Sequence, residues 1–155
     1  MFKTVALVVV ATFGFLFVQE GDGPDLKGVK CVVNGDRGVD ANFNVEYGGG
    51  TVYFCCRGCV KKFKADQAAE TPALSTKANH QLVVTGQFTQ ESCPLTGEAL
   101  VAEHVANVGG VEVSFCCGDC ITKIENAEEM EAKAEMVFGN EPFARGFAKK
   151  VEEEE

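Results

Sequence analysis

A six-residue cysteine motif occurs twice in this chain, and it restricts the fold more strongly than any other feature. The first copy is FCCRGC at Phe54–Cys59, and the second is FCCGDC at Phe115–Cys120. One further cysteine precedes each copy, Cys31 for the first and Cys93 for the second. Because this pattern uses all eight cysteines, we interpret it as two copies of one cysteine-bearing unit.

The surrounding residues repeat as well. Cys31–Asp36 matches Cys93–Glu98 at an offset of 62, and Phe54–Cys59 matches Phe115–Cys120 at an offset of 61. A difference of one residue across a whole matched unit indicates a genuine internal repeat. A unit of about 40 residues buries too little apolar surface to be stable alone. We therefore expect the two units to share a core, with help from a metal or from disulfides.

Each unit has the pattern of a β-hairpin followed by a helix. In the first, Ala41–Tyr47 alternates apolar and polar residues, Gly48–Gly50 supplies a turn, and Thr51–Phe54 returns as a second strand. After Cys55 the spacing of apolar residues changes to that of a short helix, with Val60 and Phe63 on its inner face. The predicted fold class is α+β, with two repeated hairpin-plus-helix units packed together and extra C-terminal helices.

The other segments have weaker patterns. Residues 80–90 resemble a strand leading into the second repeat, because Gln81–Thr85 and Gly86–Thr89 are rich in β-forming residues. The second helix is predicted over Asp119–Met136, and a last short helix from Phe143 to about Val151. The predicted organisation is signal peptide or anchor 1–19, linker 20–30, repeat one 31–70, connecting strand segment 71–92, repeat two 93–128, C-terminal helices 129–150 and acidic tail 151–155.

The N-terminus is typical of an export signal. Lys3 is followed by Val5–Val18, a run of 14 residues without charge. That length suits the core of a signal peptide better than a membrane-spanning helix, which needs about 20 residues. Gln19–Pro24 offers no small-x-small cleavage site, so an uncleaved anchor through residues 4–18 is an alternative. The sequence thus predicts an exported protein, periplasmic or otherwise extracytoplasmic.

The charge and the remaining motifs exclude several functions. The net charge of −9 and the isoelectric point of about 4.8 argue against nucleic acid as a partner, which requires a basic surface. We find no Ser/His/Asp set, phosphate-binding loop or paired carboxylates, and we predict that the protein is not an enzyme.

Thiolates are soft ligands that select Zn(II), Cu(I) or iron–sulfur chemistry over magnesium or calcium. Cys56 and Cys59 have the spacing of a zinc knuckle, whereas Cys55 and Cys59 are one helical turn apart. Adjacent cysteines point in different directions, so one cysteine per repeat could be free. The candidate metal ligands are Cys31, Cys55, Cys56, Cys59, Cys93, Cys116, Cys117 and Cys120.

Val52–Cys55, followed by Cys59 and Phe63, resembles the YHS/TRASH group of small metal-binding domains. That group has one cysteine, a gap of about twenty residues or slightly more, and then Cys-x3-Cys on a treble-clef-like hairpin and helix. The gaps here are 23 and 22 residues. The resemblance covers about 40 residues of each repeat and implies heavy-metal sensing, trafficking or resistance. The ligands that it implies are Cys31, Cys55, Cys59, Cys93, Cys116 and Cys120.

The doubled cysteine is where the chain departs from that group, which usually has a small polar residue at the positions of Cys56 and Cys117. These two residues could add a fourth ligand. His104 could instead complete a Cys3His site, but its counterpart in repeat one is Phe43 or Asn42. Because an essential ligand should repeat, we expect a surface or hairpin histidine, and we interpret His80 in the same way.

The sequence therefore predicts an exported protein that binds about one Zn(II) or Cu(I) ion per repeat, for structure, storage, delivery or sensing, with a metal-transfer protein as a further partner. One alternative is a disulfide-stapled scaffold, because export would expose eight cysteines to an oxidising compartment. Strain in bridges between neighbouring cysteines argues against it. The other alternative is a thiol–disulfide oxidoreductase that uses the CxxC pairs.

Overall fold

The computed structural model describes residues 23–151, which form five helices and six strands. The elements in chain order are β1 (Asp40–Tyr47), β2 (Gly50–Phe54), α1 (Arg57–Gln67), α2 (Ser75–Val84), β3 (Phe88–Gln90), β4 (Val101–Val108), β5 (Val111–Phe115), α3 (Gly118–Glu125), α4 (Met130–Phe138), α5 (Asn140–Gly146) and β6 (Phe147–Lys149). We call Cys31–Gln67 unit 1 and Cys93–Glu125 unit 2. The predicted α+β class is confirmed.

The two units have matching hairpins. β1 pairs with β2 and β4 pairs with β5, both antiparallel, and each longer strand has a register shift near its start. The turns contain Gly48 at φ +57° and Gly109 at φ +62°, a backbone region that disfavours side chains with a Cβ. The period-2 pattern and the glycine turns therefore correctly predicted both hairpins.

The middle segment differs from the prediction. Gln81–Thr85 was expected to be a strand, but Gln81–Val84 forms the second half of helix α2. Ala78 and Leu82 lie four residues apart on its buried face, and both are fully buried, whereas Val84 is 44% exposed. Tertiary burial of a helical stripe thus overrides the strand propensity of the Leu-Val-Val run. Only Phe88–Gln90 is a strand, β3.

The C-terminal prediction is also corrected. The single helix expected over Asp119–Met136 is two separate helices. α3 ends at Glu125, and α4 begins at Met130. The last helix ends at Gly146 instead of continuing to Val151, and Phe147–Lys149 pairs with β3 as strand β6. The rings of Phe143 and Phe147 stack with centroids 5.4 Å apart, and both residues belong to the buried core.

A single buried cluster joins both units. Unit 1 contributes Phe54 and Phe63, and unit 2 contributes Phe115 and Ile124. The connecting elements complete the cluster, with Leu82 from α2 and Val137 and Phe138 from α4. The shared core expected for units of this size is present, and α2 and α4 form much of the contact between them.

Glutamine side chains cover the outer edge of each hairpin. Gln81 accepts a hydrogen bond from the Tyr53 amide at 2.7 Å and donates to the Tyr53 carbonyl at 3.0 Å. Gln90 makes the same pair of bonds to Ser114, at 2.9 and 2.7 Å. These amides pair with backbone N–H and C=O groups that would otherwise lack a hydrogen-bond partner. They therefore protect a strand edge that could pair with another chain and cause aggregation. They also fix each hairpin relative to the middle segment.

Among residues 23–151, no helix has both the length and the apolar character needed to cross a membrane. The predicted signal peptide or anchor, including residues 4–18, lies outside the described residues, as do residues 152–155 of the acidic tail.

Candidate metal centres

Each unit brings three cysteine sulfurs together. Site 1 consists of Cys31, Cys55 and Cys59, and the three Sγ atoms lie within 4.8 Å of one another. The upstream cysteine lies in a turn that the Cys31 amide closes by donating to the Arg37 carbonyl at 2.9 Å. Cys55 follows the last residue of β2, and Cys59 lies in the first turn of α1. The hairpin and the helix thus aim two sulfurs at the turn that holds the third.

Site 2 has the same construction from Cys93, Cys116 and Cys120, again within 4.8 Å of one another. The Cys93 carbonyl accepts from the Gly97 amide at 2.7 Å, which closes the turn that holds the upstream cysteine. Cys116 follows β5, and Cys120 lies in the first turn of α3. All six cysteines implied by the family resemblance are therefore assembled into two clusters, one in each unit.

The sulfur separations match those of a thiolate metal site. A tetrahedron with zinc–sulfur bonds of about 2.3 Å has sulfur–sulfur edges of about 3.8 Å. In site 2, Cys120 Sγ lies 3.9 Å from Cys93 Sγ and 3.7 Å from Cys116 Sγ. In site 1, Cys55 Sγ and Cys59 Sγ are 3.6 Å apart. Small side-chain adjustments would bring each triad around one soft cation.

The adjacent cysteines lie at the rim of each cluster. Cys56 is the N-cap residue of α1 and Cys117 that of α3, both with extended backbone. Cys56 Sγ lies 3.6 Å from Cys59 Sγ, and Cys117 Sγ lies 3.5 Å from Cys120 Sγ. Neither belongs to the triads, yet each touches the helical ligand of its site. They are therefore placed either to become a fourth ligand or to exchange with one of the three.

The upstream cysteines ionise more easily than ordinary thiols. Burial opposes ionisation of Cys93, but hydrogen bonds from the Thr96 side chain and the Cys116 backbone outweigh it and lower its pKa to about 7. For Cys31, burial likewise acts against ionisation, and backbone hydrogen bonds, first that of Asn34, prevail and lower the pKa. A metal ion approaching either site thus meets a thiol that readily becomes a thiolate.

The helical cysteines differ from their neighbours at the rim. Burial, reinforced by the surrounding thiols, raises the pKa of Cys59 to about 12 and also raises the pKa of Cys120. The backbone N–H of Cys59 lowers the pKa of Cys56, and that of Cys120 lowers the pKa of Cys117. A bound cation must therefore displace protons from the inner thiols, which makes metal binding weaken as the pH falls.

Site 2 has supporting contacts that the sequence did not suggest. Thr96 Oγ1 lies 3.2 Å from Cys116 Sγ. The guanidinium of Arg145 donates to the carbonyls of Pro94 and Leu95, both at 3.0 Å, and so holds the turn next to Cys93. Thr96 stands three residues after Cys93, a spacing that could have drawn attention to it. No local signal identifies Arg145, because its contact depends on where α5 ends.

The two histidines lie outside both clusters. His104 lies in β4, as the hairpin interpretation expected, with its Nδ1 buried and without a hydrogen-bond partner. His80 was expected at a strand start but lies in α2, where its Nε2 is 3.0 Å from the Gly109 carbonyl oxygen. Burial lowers the pKa of His80. Its contact joins the middle helix to the hairpin turn of unit 2.

Comparison of the chain with protein-family models gave no match. Comparison with the curated proteins and with the solved structures gave no significant match either.

Proposed function

We propose that this chain is an exported, non-enzymatic metal-binding protein whose two YHS/TRASH-like units each hold one soft metal ion. The observation that carries the proposal is the assembly of three cysteine sulfurs within 4.8 Å of one another at the same place in both units. Such a set of thiolates is a common ligand pattern in structural zinc sites and in Cu(I) sites.

The donor set favours Zn(II) or Cu(I). Thiolate sulfur is a poor ligand for magnesium and calcium, which prefer oxygen. With Cys56 or Cys117 as a fourth ligand, each site would form the closed tetrahedron of structural zinc. With three sulfurs, each would suit Cu(I), and the rim cysteine would be the group that receives or hands on the ion during delivery to a transfer protein.

Metal analysis under reducing conditions tests the proposal. The native protein should contain about two equivalents of Zn(II) or Cu(I), and the variant Cys59→Ser plus Cys120→Ser should lose both, because it removes one central sulfur from each site. The matched variant Cys56→Ser plus Cys117→Ser distinguishes coordination by three sulfurs from coordination by four. Retention of both ions indicates three-sulfur sites, and loss of affinity indicates four-sulfur sites.

A count of free thiols distinguishes metal binding from a disulfide scaffold. The structure has all eight cysteines as separate thiols. If the native protein contained no metal and no free thiol, the metal proposal would fail in favour of a disulfide scaffold. Insulin reduction that depends on Cys56 or Cys117 would instead indicate a thiol–disulfide oxidoreductase.

A further inference from the structure

The helices beside the two sites carry opposite charge. Helix α1 has four cations and one anion, and all four cations are exposed. Helix α3 has one cation and two anions. Because the whole chain carries a net charge of −9, α1 is a local positive region on an acidic protein. The cations of α1 are Arg57, Lys61, Lys62 and Lys64.

Three of these cations form a stripe that starts at the rim of site 1. Arg57 directly follows Cys56, and Lys61 and Lys64 follow it at intervals of four and three residues, which places them on one helical face. The matching positions of α3 are occupied by Gly118, Thr122 and Glu125. The stripe is therefore a property of unit 1 alone, although the hairpin and the sulfurs are shared.

The sites also differ in the contacts around their cysteines. The upstream cysteines are equally buried, with Cys31 at 2% and Cys93 at 0% exposed, and only the helical pair differs, Cys120 being 2% exposed and Cys59 partly buried. The turn of Cys93 is tied to α5 by Arg145, and a Cβ on Gly146 would lie 2.9 Å from the Pro94 Cα atom. The turn of site 2 is thus held by Arg145 and packed backbone, whereas the turn of site 1 is held by the Gln81 side chain, which donates to the Lys30 carbonyl.

From these differences we infer that site 1 is the loading site, which takes its ion from small anionic metal chelates faster than site 2 does. The inference rests on the metal-binding function proposed above. In the exchange, each metal–sulfur bond that forms replaces a metal–carboxylate bond of the chelate. The thiol protons pass to solvent, the carboxylates leave as free chelator, and no electrons are transferred.

A small chelate fits this stripe better than an acidic protein does. Charges act over a Debye length of about 10 Å at 0.1 M salt, so a small anion at the rim feels mainly the cations of α1. A large acidic partner would also face the net charge of −9 on the rest of the chain. Local steering of this kind raises association rates by about 10-fold or more.

Cobalt(II) loading at an ionic strength of about 0.1 M tests the inference, because cobalt–thiolate absorption reports binding directly. The metal is offered either as the anionic citrate chelate or as the aqueous cation. One protein retains only site 1 (Cys93→Ser plus Cys120→Ser), and the other retains only site 2 (Cys31→Ser plus Cys59→Ser). Citrate-bound cobalt should load site 1 about 10-fold faster than site 2. The aqueous cation should lose or reverse this preference, and added salt should reduce it.

The same measurement on the chain with all eight cysteines does not depend on how the cysteine variants fold. Lys61→Glu plus Lys64→Glu should slow the fast phase of loading from citrate about 10-fold. The control Lys149→Glu plus Lys150→Glu changes the net charge by the same amount, but these residues are the last of β6 and the one that follows it. This control should leave the fast phase of loading unchanged. Equal loading of both sites from both carriers would overturn the inference alone. The absence of cobalt–thiolate absorption in every protein would overturn the proposed function as well.

Discussion

Units 1 and 2 share a hairpin, a helix and a sulfur triad, but different parts of the chain hold the upstream cysteine of each. In unit 1, the amide of Gln81 donates to the Lys30 carbonyl at 3.0 Å, next to Cys31. In unit 2, Arg145 and the backbone around Gly146 hold the turn of Cys93. The repeated motif thus supplies the ligands of each site, while the non-repeated segments supply the contacts that hold the upstream cysteine in place.

The largest effect is expected at the junction of the two units. Phe138 is fully buried, and its ring lies 4.8 Å from that of His80 and 5.7 Å from that of Phe147. Phe138→Ala should lower the free energy of unfolding by about 3–5 kcal/mol. Chemical denaturation should remain a single transition if the units are one cooperative body. Met136→Ala, on the same helix but only partly buried, should cost less, and two separate transitions would contradict the shared core.

Next in size is the difference between the helical cysteines in reduced, chelator-treated protein. Cys120→Ser buries a hydroxyl at a position that is 2% exposed, and should cost about 1–3 kcal/mol more than an exposed replacement. Cys59 is less buried than Cys120, so Cys59→Ser should cost less. Thermal melts of the two variants compare the two losses of stability directly. Equal losses would contradict the difference in burial between Cys120 and Cys59.

The edge glutamines provide a third comparison. Gln81 is only 3% exposed, so water cannot easily replace its hydrogen bonds. Gln81→Ala leaves the backbone N–H and C=O of Tyr53 without this partner and should cost about 2 kcal/mol. Gln90→Ala removes the corresponding bonds to Ser114 at a more exposed position, where water can replace them, and should cost about 1 kcal/mol. Urea denaturation measures both values, and the reverse order would contradict this interpretation.

The smallest difference should come from the hairpin turns. Both Gly48→Ala and Gly109→Ala place a Cβ at positive φ, which costs about 1 kcal/mol in each turn. At Gly109 the new Cβ would also lie 2.9 Å from His80 Nε2, whereas at Gly48 it would lie 3.8 Å from a Leu82 methyl carbon. The extra loss in Gly109→Ala therefore measures the contact between α2 and unit 2. His80→Ala in the same background should abolish that extra loss.

The sequence predicted the features that depend on local chemistry. Alternation in Ala41–Tyr47, glycines at the turn and the CCxxC spacing are sufficient to specify a hairpin, a helix start and two converging sulfurs. The turn cysteines could be added because the family resemblance pairs an upstream cysteine with Cys-x3-Cys. Six of the eight predicted ligands lie in the triads, and Cys56 and Cys117 lie beside them.

Features that depend on distant contacts were not predictable in this way. The run Leu82–Val84 has strand propensity, and it becomes helical because Ala78 and Leu82 together fill the space between the units. The strand over Phe147–Lys149 exists only because β3 offers it a partner. Arg145 reaches Pro94 across the fold, and no pattern within either segment records that meeting.

The β3–β6 ladder has a consequence for the order of folding. Its two strands enclose the whole of unit 2 in sequence, so pairing Phe88 with Lys149 closes a long loop, whereas each hairpin closes a loop of a few residues. The entropy of closing a loop grows with its length, and contacts between distant residues form slowly. The hairpins should therefore form early and the ladder late. Because α5 directly precedes β6, the turn that carries Cys93 reaches its final position only when the last ladder closes.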